Sequence, residues 1–154
     1  MIEYVTKHNL AEVLPLIADY QNFYQAGEIC QRKNSVFFAR FSAHSPIGCQ
    51  FAYRHQQQVI GFATVLFSYS SILAAKVALL NDLYIVPEQR NQGYARQLIK
   101  HCHLFAQAKK AARLQWLTKQ DNHRAQGLYD TLPATKSPWF VYTLNNQLSV
   151  KTMR

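Results

Sequence analysis

The sequence has few acidic residues for its length. Its 154 residues include 8 aspartates and glutamates against 17 lysines and arginines, so the formal net charge is +9 and the pI is about 9.6. Such an excess predicts attraction to a polyanion, whether nucleic acid, an acidic membrane surface or a phosphorylated small molecule. Charge carries no information on the fold, so the positions of the basic residues have to decide among these partners.

Cysteine is also scarce. Cys30, Cys49 and Cys102 form an odd, scattered set with neither a disulfide framework nor the spacing of metal ligands. This fits reduced thiols, and we expect a cytoplasmic protein. His101 and His103 lie two positions apart on a predicted helix and point in different directions, so they make a poor pair of ligands. We expect no metal site.

Long apolar runs are absent. The longest, Val59–Phe67 and Ile72–Leu80, are too short to span a bilayer. The stretch Met1–Leu10 has no apolar segment behind a basic one, so we expect neither a secretory signal nor a membrane span. With 49% hydrophobic and 16% charged residues the composition is that of a globular protein, and the length predicts a single domain over residues 1–154.

Hydrophobic periodicity predicts a mixed α/β domain. The passage from strand through helix to strand after Lys76 is typical of a right-handed crossover between parallel strands. Asn34–Phe41 fits a short helix as well as a strand, and Asn9 with Glu12 resembles a capping pair. Predicted helices run from Leu10 toward Tyr24, over Gly93–Ala111, and from Asp121 or Asn122 onward. Predicted strands are Cys49–Arg54, Gln58–Ser68, Lys76–Val86, Leu114–Thr118 and Pro138–Leu144, with Ser149–Met153 as a candidate partner of the last.

One segment joins a strand, a polar loop and a helix. The strand ends at Pro87, and the chain enters the next helix through the pattern R-x-x-G-x-A, from Arg90 to Ala95. A glycine such as Gly93 lets the backbone approach a ligand, and the first amides of a helix have no partner inside it. With the helix dipole, these features predict an anion site suited to pyrophosphate. The alternative is an ordinary loop glycine, but the position between a strand and a helix favours the anion site.

Two blocks of the sequence resemble the GNAT superfamily of acyl-CoA N-acyltransferases. Leu80–Ala95 resembles motif A, whose loop reads Q/R-x-x-G-x-G/A, and Trp116–Tyr129 resembles motif B, N-x-x-A-x-x-L-Y. The segment Tyr20–Tyr24 also fits the branch of small polyamine, histone and amino-acid N-acetyltransferases. The likeness covers about residues 80–132. It implies a GNAT-like α/β (α+β) fold, in which helices flank a mixed sheet with a splayed parallel strand pair, and acetyl-CoA as co-substrate.

The resemblance implies where acetyl-CoA binds. In such enzymes the strand before the loop parts from its parallel neighbour, here Leu114–Thr118, and the pantetheine arm lies in the cleft. Main-chain groups of Leu83, Tyr84 and Ile85 would pair with the arm, and Asn122 would reach the cofactor from the following helix. The pyrophosphate would be held by the loop and the first helical turn, which comprise Arg90, Asn91, Gln92, Gly93, Tyr94, Ala95 and Arg96.

The resemblance also implies a catalytic acid. Tyr129 would lie near the thioester sulfur and protonate the departing CoA thiolate, a contribution of typically ~10²–10⁴-fold. Its spacing from Ala125 and Leu128 alone favours a core aromatic, and only the surrounding motif favours catalysis. A backbone amide of the strand could hold the tetrahedral oxyanion. The reaction then needs no metal and no covalent enzyme intermediate.

Asp82 is the candidate general base. Related polyamine acetyltransferases place an acidic pair at the positions of Asn81 and Asp82, and an asparagine cannot take the proton. Asp82 could act as base, bind the amine or be a buried structural residue, and strand alternation puts it on the face opposite to Asn81. Tyr20, Tyr24 and Asn81 are the candidate acceptor-binding residues. The alternative for Tyr24 is that it completes the core face of the first helix with Phe23.

Two functions remain open at this point. The first is direct transfer of an acetyl group from acetyl-CoA to a primary amine of a small metabolite, amino acid or polyamine, with protein lysine less favoured. The second is a non-catalytic GNAT-like module that binds nucleic acid or a protein partner through its basic surface. Residues 85–124 carry a net charge of +6 around the predicted cofactor loop, which favours CoA over nucleic acid. The shortage of carboxylates favours a single amine at least as much as a polycation, and an exposed C-terminal strand would suit a homodimer.

Overall fold

The structure is a computed structural model and describes residues 1–146. Its five-stranded sheet has the order β1-β2-β3-β4-β5, with all neighbours antiparallel except β4 and β5, which are parallel. The strands are β1 Ile2–Tyr4, β2 Gly48–His55, β3 Gln58–Ser70, β4 Ala75–Ile85 and β5 Leu114–Gln115. The helices are α1 Leu10–Phe23, α2 Gln31–Phe38, α3 Tyr94–Ala108 and α4 His123–Tyr129. The chain divides into two compact units, residues 1–117 with the sheet and α1 to α3, and residues from 118 onward with α4.

The predicted α/β class and mixed sheet are confirmed. The crossover from β4 through α3 to β5 is the predicted parallel unit. Most of Asn34–Phe41 lies in α2, so the helical alternative is correct, and Cys30 Sγ accepts a hydrogen bond from the Lys33 amide at the start of this helix. The strand predicted at Leu114–Thr118 is shorter than expected, because only its first two residues pair with β4.

Helices cover both faces of the sheet. Val13 and Ile17 of α1 belong to one buried cluster with Phe62 of β3. On the other face α3 packs against β2, β3 and β4, and the ring of Phe105 lies 5.1 Å from that of Phe51. Side chains that alternate along a central strand therefore face either α1 or α3.

A charged cluster ties the N-terminal elements to the sheet. The Arg54 guanidinium donates to Glu3 at 2.8 Å and to Glu12 at 2.8 Å, and so joins β2 to β1 and α1. The predicted capping pair is wrong, because Glu12 turns to Arg54 and Asn9 Oδ1 accepts from the Thr6 amide instead of from the helix. The hydrogen bond from Arg54 lowers the pKa of Glu3 and of Glu12.

We expect Arg54→Met to lower the free energy of unfolding by about 1 kcal/mol at neutral pH, the range of partly exposed ion pairs. A carboxyl with a lowered pKa stabilises the fold above its unfolded pKa, and this contribution is lost as the pH falls through the folded value. The melting temperatures of the variant and the parent should therefore converge below about pH 4. A constant gap from pH 3 to pH 8 would contradict the ionic account.

The predicted C-terminal strand is absent from the described residues. Pro138–Leu144 has no strand pairing there, and Trp139 and Tyr142 are 83% and 94% exposed. Aromatic and β-branched composition favours a strand, but a strand also needs an edge to pair with. Its candidate partner, Ser149–Met153, lies outside the described residues.

Candidate active site

A β-bulge in β4 shapes the site. Thr64 of β3 pairs with Asp82, whereas the next residue, Val65, pairs with Leu80, so Asn81 is the extra residue. A bulge interrupts the alternation of side chains and re-aims them. Asn81 Nδ2 consequently donates to Asp82 Oδ1 at 3.2 Å. The expectation that these two side chains lie on opposite faces is wrong, because it assumed regular pairing.

Asp82 is a buried carboxyl with an unsatisfied oxygen. Its side chain is 8% exposed, and Oδ2 has no hydrogen-bond partner within residues 1–146. Burial raises the pKa of Asp82, and hydrogen bonds from Thr64, Asn81 and Tyr20 oppose the rise. The net direction is upward, so this carboxylate accepts a proton more readily than that of a free aspartate.

Aromatic rings from α1 stand beside this carboxyl. The Tyr20 ring packs edge-on against Tyr24 at 4.9 Å and Phe62 at 5.8 Å between centroids, and its hydroxyl lies 3.5 Å from the Asn81 carbonyl oxygen. Tyr24 is half-buried, whereas Phe23 is 60% exposed, so Phe23 does not complete the helical core face. The structure thus brings Tyr20 and Tyr24 together with the Asn81–Asp82 bulge.

The outer edge of β4 is open beyond its pairing with β5. Within the described residues the two strands pair only over Ala78 and Leu79 of β4. Because the Val86 amide donates to β3, the antiparallel alternation turns the main-chain groups of Leu83 and Ile85 away from β3. The same alternation directs those of Tyr84 toward β3. The parallel pair is therefore splayed where β4 approaches the loop.

The Arg90 side chain contacts the last residue of β4. Its Nε donates to the Ile85 carbonyl at 2.7 Å, and its guanidinium lies 5.5 Å from the centre of the Tyr84 ring. This arginine positions the start of the loop in the described arrangement.

The loop has the left-handed backbone that its glycine permits. Gly93 is the N-cap of α3 with φ +83°, and Asn91 also has a positive φ of +62°. As a glycine, Gly93 has no side chain to cap the first amides of α3, and a Cβ placed on it would meet no atom within 4 Å. Gln92 and Tyr94 hydrogen-bond to each other through their side chains at 3.3 Å. The first turn, with Ala95 and Arg96, therefore begins beside open space suited to an anion.

The second unit contains the other motif. Asn122 caps α4, since its Oδ1 accepts from the Ala125 amide at 3.3 Å. Tyr129 is the last residue of α4 and is half-buried, as are Ala125 and Leu128 on the same helix. The catalytic role of Tyr129 and the cofactor contact of Asn122 stay predictions.

Sequence reasoning missed two polar residues behind Asp82. Gln50 and Thr64 are 0% and 1% exposed, and both interrupt otherwise apolar strand segments. That interruption was the available signal, because a buried polar side chain needs a partner.

Other reactive chemistry has little support in the described part of the chain. No group of three or more His, Cys, Asp and Glu residues there could hold a metal ion. Burial raises the pKa of the Cys49 thiol to about 12 and also raises that of Cys102, which disfavours thiolate nucleophiles. His101 packs against Phe51 at 4.6 Å, and burial lowers its pKa. In residues 1–146, no helix is long and apolar enough to cross a membrane.

Comparison with known proteins decides the family. The sequence profile of the Acetyltransferase (GNAT) family matches residues 14–132, which include β4, the loop, α3 and α4. The chain belongs to the GNAT family. It is accordingly an acyl-CoA-dependent acetyltransferase, and the resemblance of the two motif blocks is confirmed.

Relatives and solved structures agree with this assignment. The chain is 27% identical over 136 residues to the uncharacterized N-acetyltransferase YhfO of Bacillus subtilis, covering 88% of this chain and 90% of that one. It is 36% identical over 86 residues to the D-amino-acid N-acetyltransferase HPA3 of Saccharomyces cerevisiae, covering 56% of this chain and 53% of that one. A crystal structure of a probable acetyltransferase is 25% identical with a TM-score of 0.81, covering 94% of this chain and 97% of that one. The chain thus has the GNAT fold, and it spans only about half the length of HPA3.

Proposed function

We propose that this GNAT enzyme transfers the acetyl group of acetyl-CoA to the primary amine of a small metabolite, an amino acid or a polyamine, by direct attack within a ternary complex. The observation that supports this most is the unpaired Oδ2 of buried Asp82, beside an aromatic wall and an open strand edge. An unsatisfied buried polar atom is unfavourable. The ammonium group of an acceptor would supply the missing partner.

The donor side has main-chain groups that suit CoA. Acetyl-CoA supplies the activated acetyl thioester. On the open edge of β4, the main-chain groups of Leu83 and the amide of Ile85 are placed to pair with pantetheine amides, while the Ile85 carbonyl is held by Arg90. The space above Gly93 and the first amides of α3 suit the pyrophosphate.

We expect Gly93→Ala to raise KM for acetyl-CoA about 10-fold, because φ +83° is strained for alanine and the methyl group enters the proposed phosphate space. Gly27→Ala is a matched control, since Gly27 has φ +86° and the same open surroundings outside the loop. Both variants should lose similar stability, and steady-state kinetics should show the KM change only for Gly93→Ala. Equal KM values in the two variants would contradict the phosphate role.

The proposed proton path begins at Asp82. The carboxylate takes a proton from the acceptor ammonium, directly or through water, and Asn81 and Tyr20 hold the carboxylate. The freed amine nitrogen attacks the thioester carbonyl carbon, a C–N bond forms and the C–S bond breaks. Tyr129 then donates a proton to the departing thiolate. The attacking nitrogen loses its second proton, which passes through water to the Tyr129 phenolate, and Asp82 releases its proton to solvent, so that the products are the N-acetylated amine, the CoA thiol and one proton.

The acceptor side favours a small amine with one charge. The wall beside Asp82 is aromatic, formed by Tyr20, Tyr24 and Phe62, and the whole chain has only 8 acidic residues. A polycation would need several carboxylates. The D-amino-acid specificity in the name of the HPA3 relative supports an amino acid as one candidate acceptor.

A thiol-release assay with acetyl-CoA and a panel of amines tests this function. The panel contains D- and L-amino acids, small monoamines, spermidine and a lysine peptide at equal concentration. We expect the highest kcat/KM with a single-amine metabolite or amino acid. Preference for the lysine peptide would contradict the acceptor class, and binding of DNA with a steep salt dependence and without any thiol release would contradict catalysis.

A further inference from the structure

A row of buried polar side chains crosses three strands and ends at Asp82. Gln50 of β2 lies directly opposite Thr64 of β3, and Thr64 lies directly opposite Asp82 of β4. All three side chains are buried, with exposures of 0%, 1% and 8%. They lie on the α1 face of the sheet. Side chains two positions apart on a strand share a face, and the residues two positions away on the three strands, which pack in the cluster with α1, are Ala52, Phe62 and Tyr84.

The hydrogen bonds of this row have a direction. Gln50 Nε2 donates to Thr64 Oγ1 at 3.1 Å. The Thr64 hydroxyl already accepts this bond, so its own proton is available to the carboxyl of Asp82, which lies directly opposite on β4. The main-chain amide of Gln50 donates to the Phe41 carbonyl, and the main-chain carbonyl of Gln50 accepts from the Val5 amide. The main chain of Gln50 therefore faces away from β3. This pairing geometry brings the facing side chains of Gln50 and Thr64 closest.

Gln50 places a polar side chain inside the core. Its Oε1 is buried and has no hydrogen-bond partner within residues 1–146. An apolar side chain of similar size would leave no such group, so stability alone does not account for a glutamine here.

We propose that Gln50 and Thr64 are positioning residues that orient a hydroxyl proton onto Asp82 and so set the pH at which this carboxyl accepts the substrate proton. The inference rests on the proposed role of Asp82 as general base. The Thr64 hydrogen bond favours the carboxylate form, whereas burial disfavours it. The pair therefore offsets part of the cost of ionising Asp82 in a buried position.

Few other titratable groups face Asp82. Tyr20 approaches it from α1, and Tyr84 lies two residues further along β4 on the same face. Within the described chain, the influences on the pKa of Asp82 are burial and hydrogen bonds from Thr64, Asn81 and Tyr20, and no charged side chain is among them. A change in the pH profile after substitution of Gln50 is therefore not explained by the loss of a nearby charge.

The test is the pH dependence of kcat/KM for the best amine in Thr64→Val, Thr64→Ser and Gln50→Met. We expect the acidic limb of the pH profile of Thr64→Val to lie at higher pH than that of the parent. At pH values on this limb, kcat/KM should be about 10-fold lower than in the parent, and KM for acetyl-CoA should be unchanged. Gln50→Met should move the limb in the same direction by a smaller amount. Thr64→Ser keeps the hydroxyl, so its limb should lie at the same pH as that of the parent. The double variant Thr64→Val with Gln50→Met should match Thr64→Val alone, because Gln50 acts through Thr64.

Thermal unfolding separates this role from a structural one. Gln50→Met removes the unsatisfied Oε1, so its melting temperature should equal or exceed that of the parent while its limb moves. Cys49→Ala, on the opposite face of β2, is the control and should lower the melting temperature without moving the limb. Suppose that the acidic limb is lost in Asp82→Asn but does not move in Thr64→Val and Gln50→Met. This result would overturn the positioning inference and leave the proposed base intact. An unchanged profile in Asp82→Asn would overturn the proposed base and the inference with it.

Discussion

Asp82→Asn is expected to lower kcat/KM for the amine by about 10²–10⁴-fold, the usual contribution of a general base. Asparagine keeps the size and the hydrogen-bonding capacity of the side chain but cannot take the proton. KM for acetyl-CoA should stay within about 2-fold, because the loop and the outer edge of β4 are untouched. Steady-state kinetics over a range of pH should show that the acidic limb of the parent is lost in the variant.

The same substitution should stabilise the fold at neutral pH. Burial raises the pKa of Asp82 in the folded state. A carboxyl of this kind favours folding fully only below its unfolded pKa, and that contribution is lost as the pH rises through the folded value. Asp82→Asn should therefore melt higher than the parent at pH 7, and the difference should shrink toward pH 3.

Asp130→Asn is the control for Asp82→Asn. Asp130 is exposed and forms a surface ion pair with Lys136 at 3.7 Å, so neither activity nor melting temperature should change measurably. Parent-like kcat/KM in Asp82→Asn would leave this carboxyl without a catalytic role.

Tyr129→Phe is expected to lower kcat by about 10²-fold or more, because the CoA thiolate would have to leave without a proton donor. Binding of acetyl-CoA, measured by calorimetry, should be nearly unchanged. Raising the thiol acidity of the leaving group with an activated thioester should restore part of the rate. That rescue is specific to an acid and would not follow from a packing defect.

Tyr142→Phe is the matched control for Tyr129→Phe. Tyr142 belongs to the same unit and is 94% exposed, so loss of its hydroxyl should affect neither kcat nor stability. Unchanged turnover in Tyr129→Phe would contradict the acid role, and a fall in kcat that the activated thioester does not relieve would assign Tyr129 to packing.

The loop before α3 was predictable because its determinants are local. A strand end at Pro87 and a glycine at position 93 before an amphipathic helix require a turn, and Gly93 has the left-handed φ that such a turn uses. Helix α2 was ambiguous, since its phenylalanines fit both periods. The confirmed mixed sheet follows from the order of strands and helices, which the crossover rule restricts to few topologies.

The interior of the site was not predictable in the same way. The bulge at Asn81 depends on the register between β3 and β4, which adjacent residues do not encode. The facing of Gln50, Thr64 and Asp82 needs the register of three strands at once. Phe23 has the helical spacing of a core residue, yet it is 60% exposed at the last position of α1.

For the C-terminal segment, the sequence predicted a strand that the described residues do not contain. Residues 138–144 have strand composition, but propensity cannot supply a neighbouring edge, and no such pairing exists in the described chain. The homodimer expected from that strand stays a prediction, as does the cytoplasmic location. Size-exclusion chromatography with light scattering would test the former.

The most direct test of the account is the product of one incubation with acetyl-CoA and the preferred amine, followed by mass spectrometry of the small molecules and the protein. Direct transfer predicts one N-acetylated amine for each CoA released, and no acetylated form of the enzyme when acetyl-CoA is supplied alone. CoA release without an acetylated amine, or an acetyl group found covalently on the enzyme as an intermediate, would contradict direct transfer.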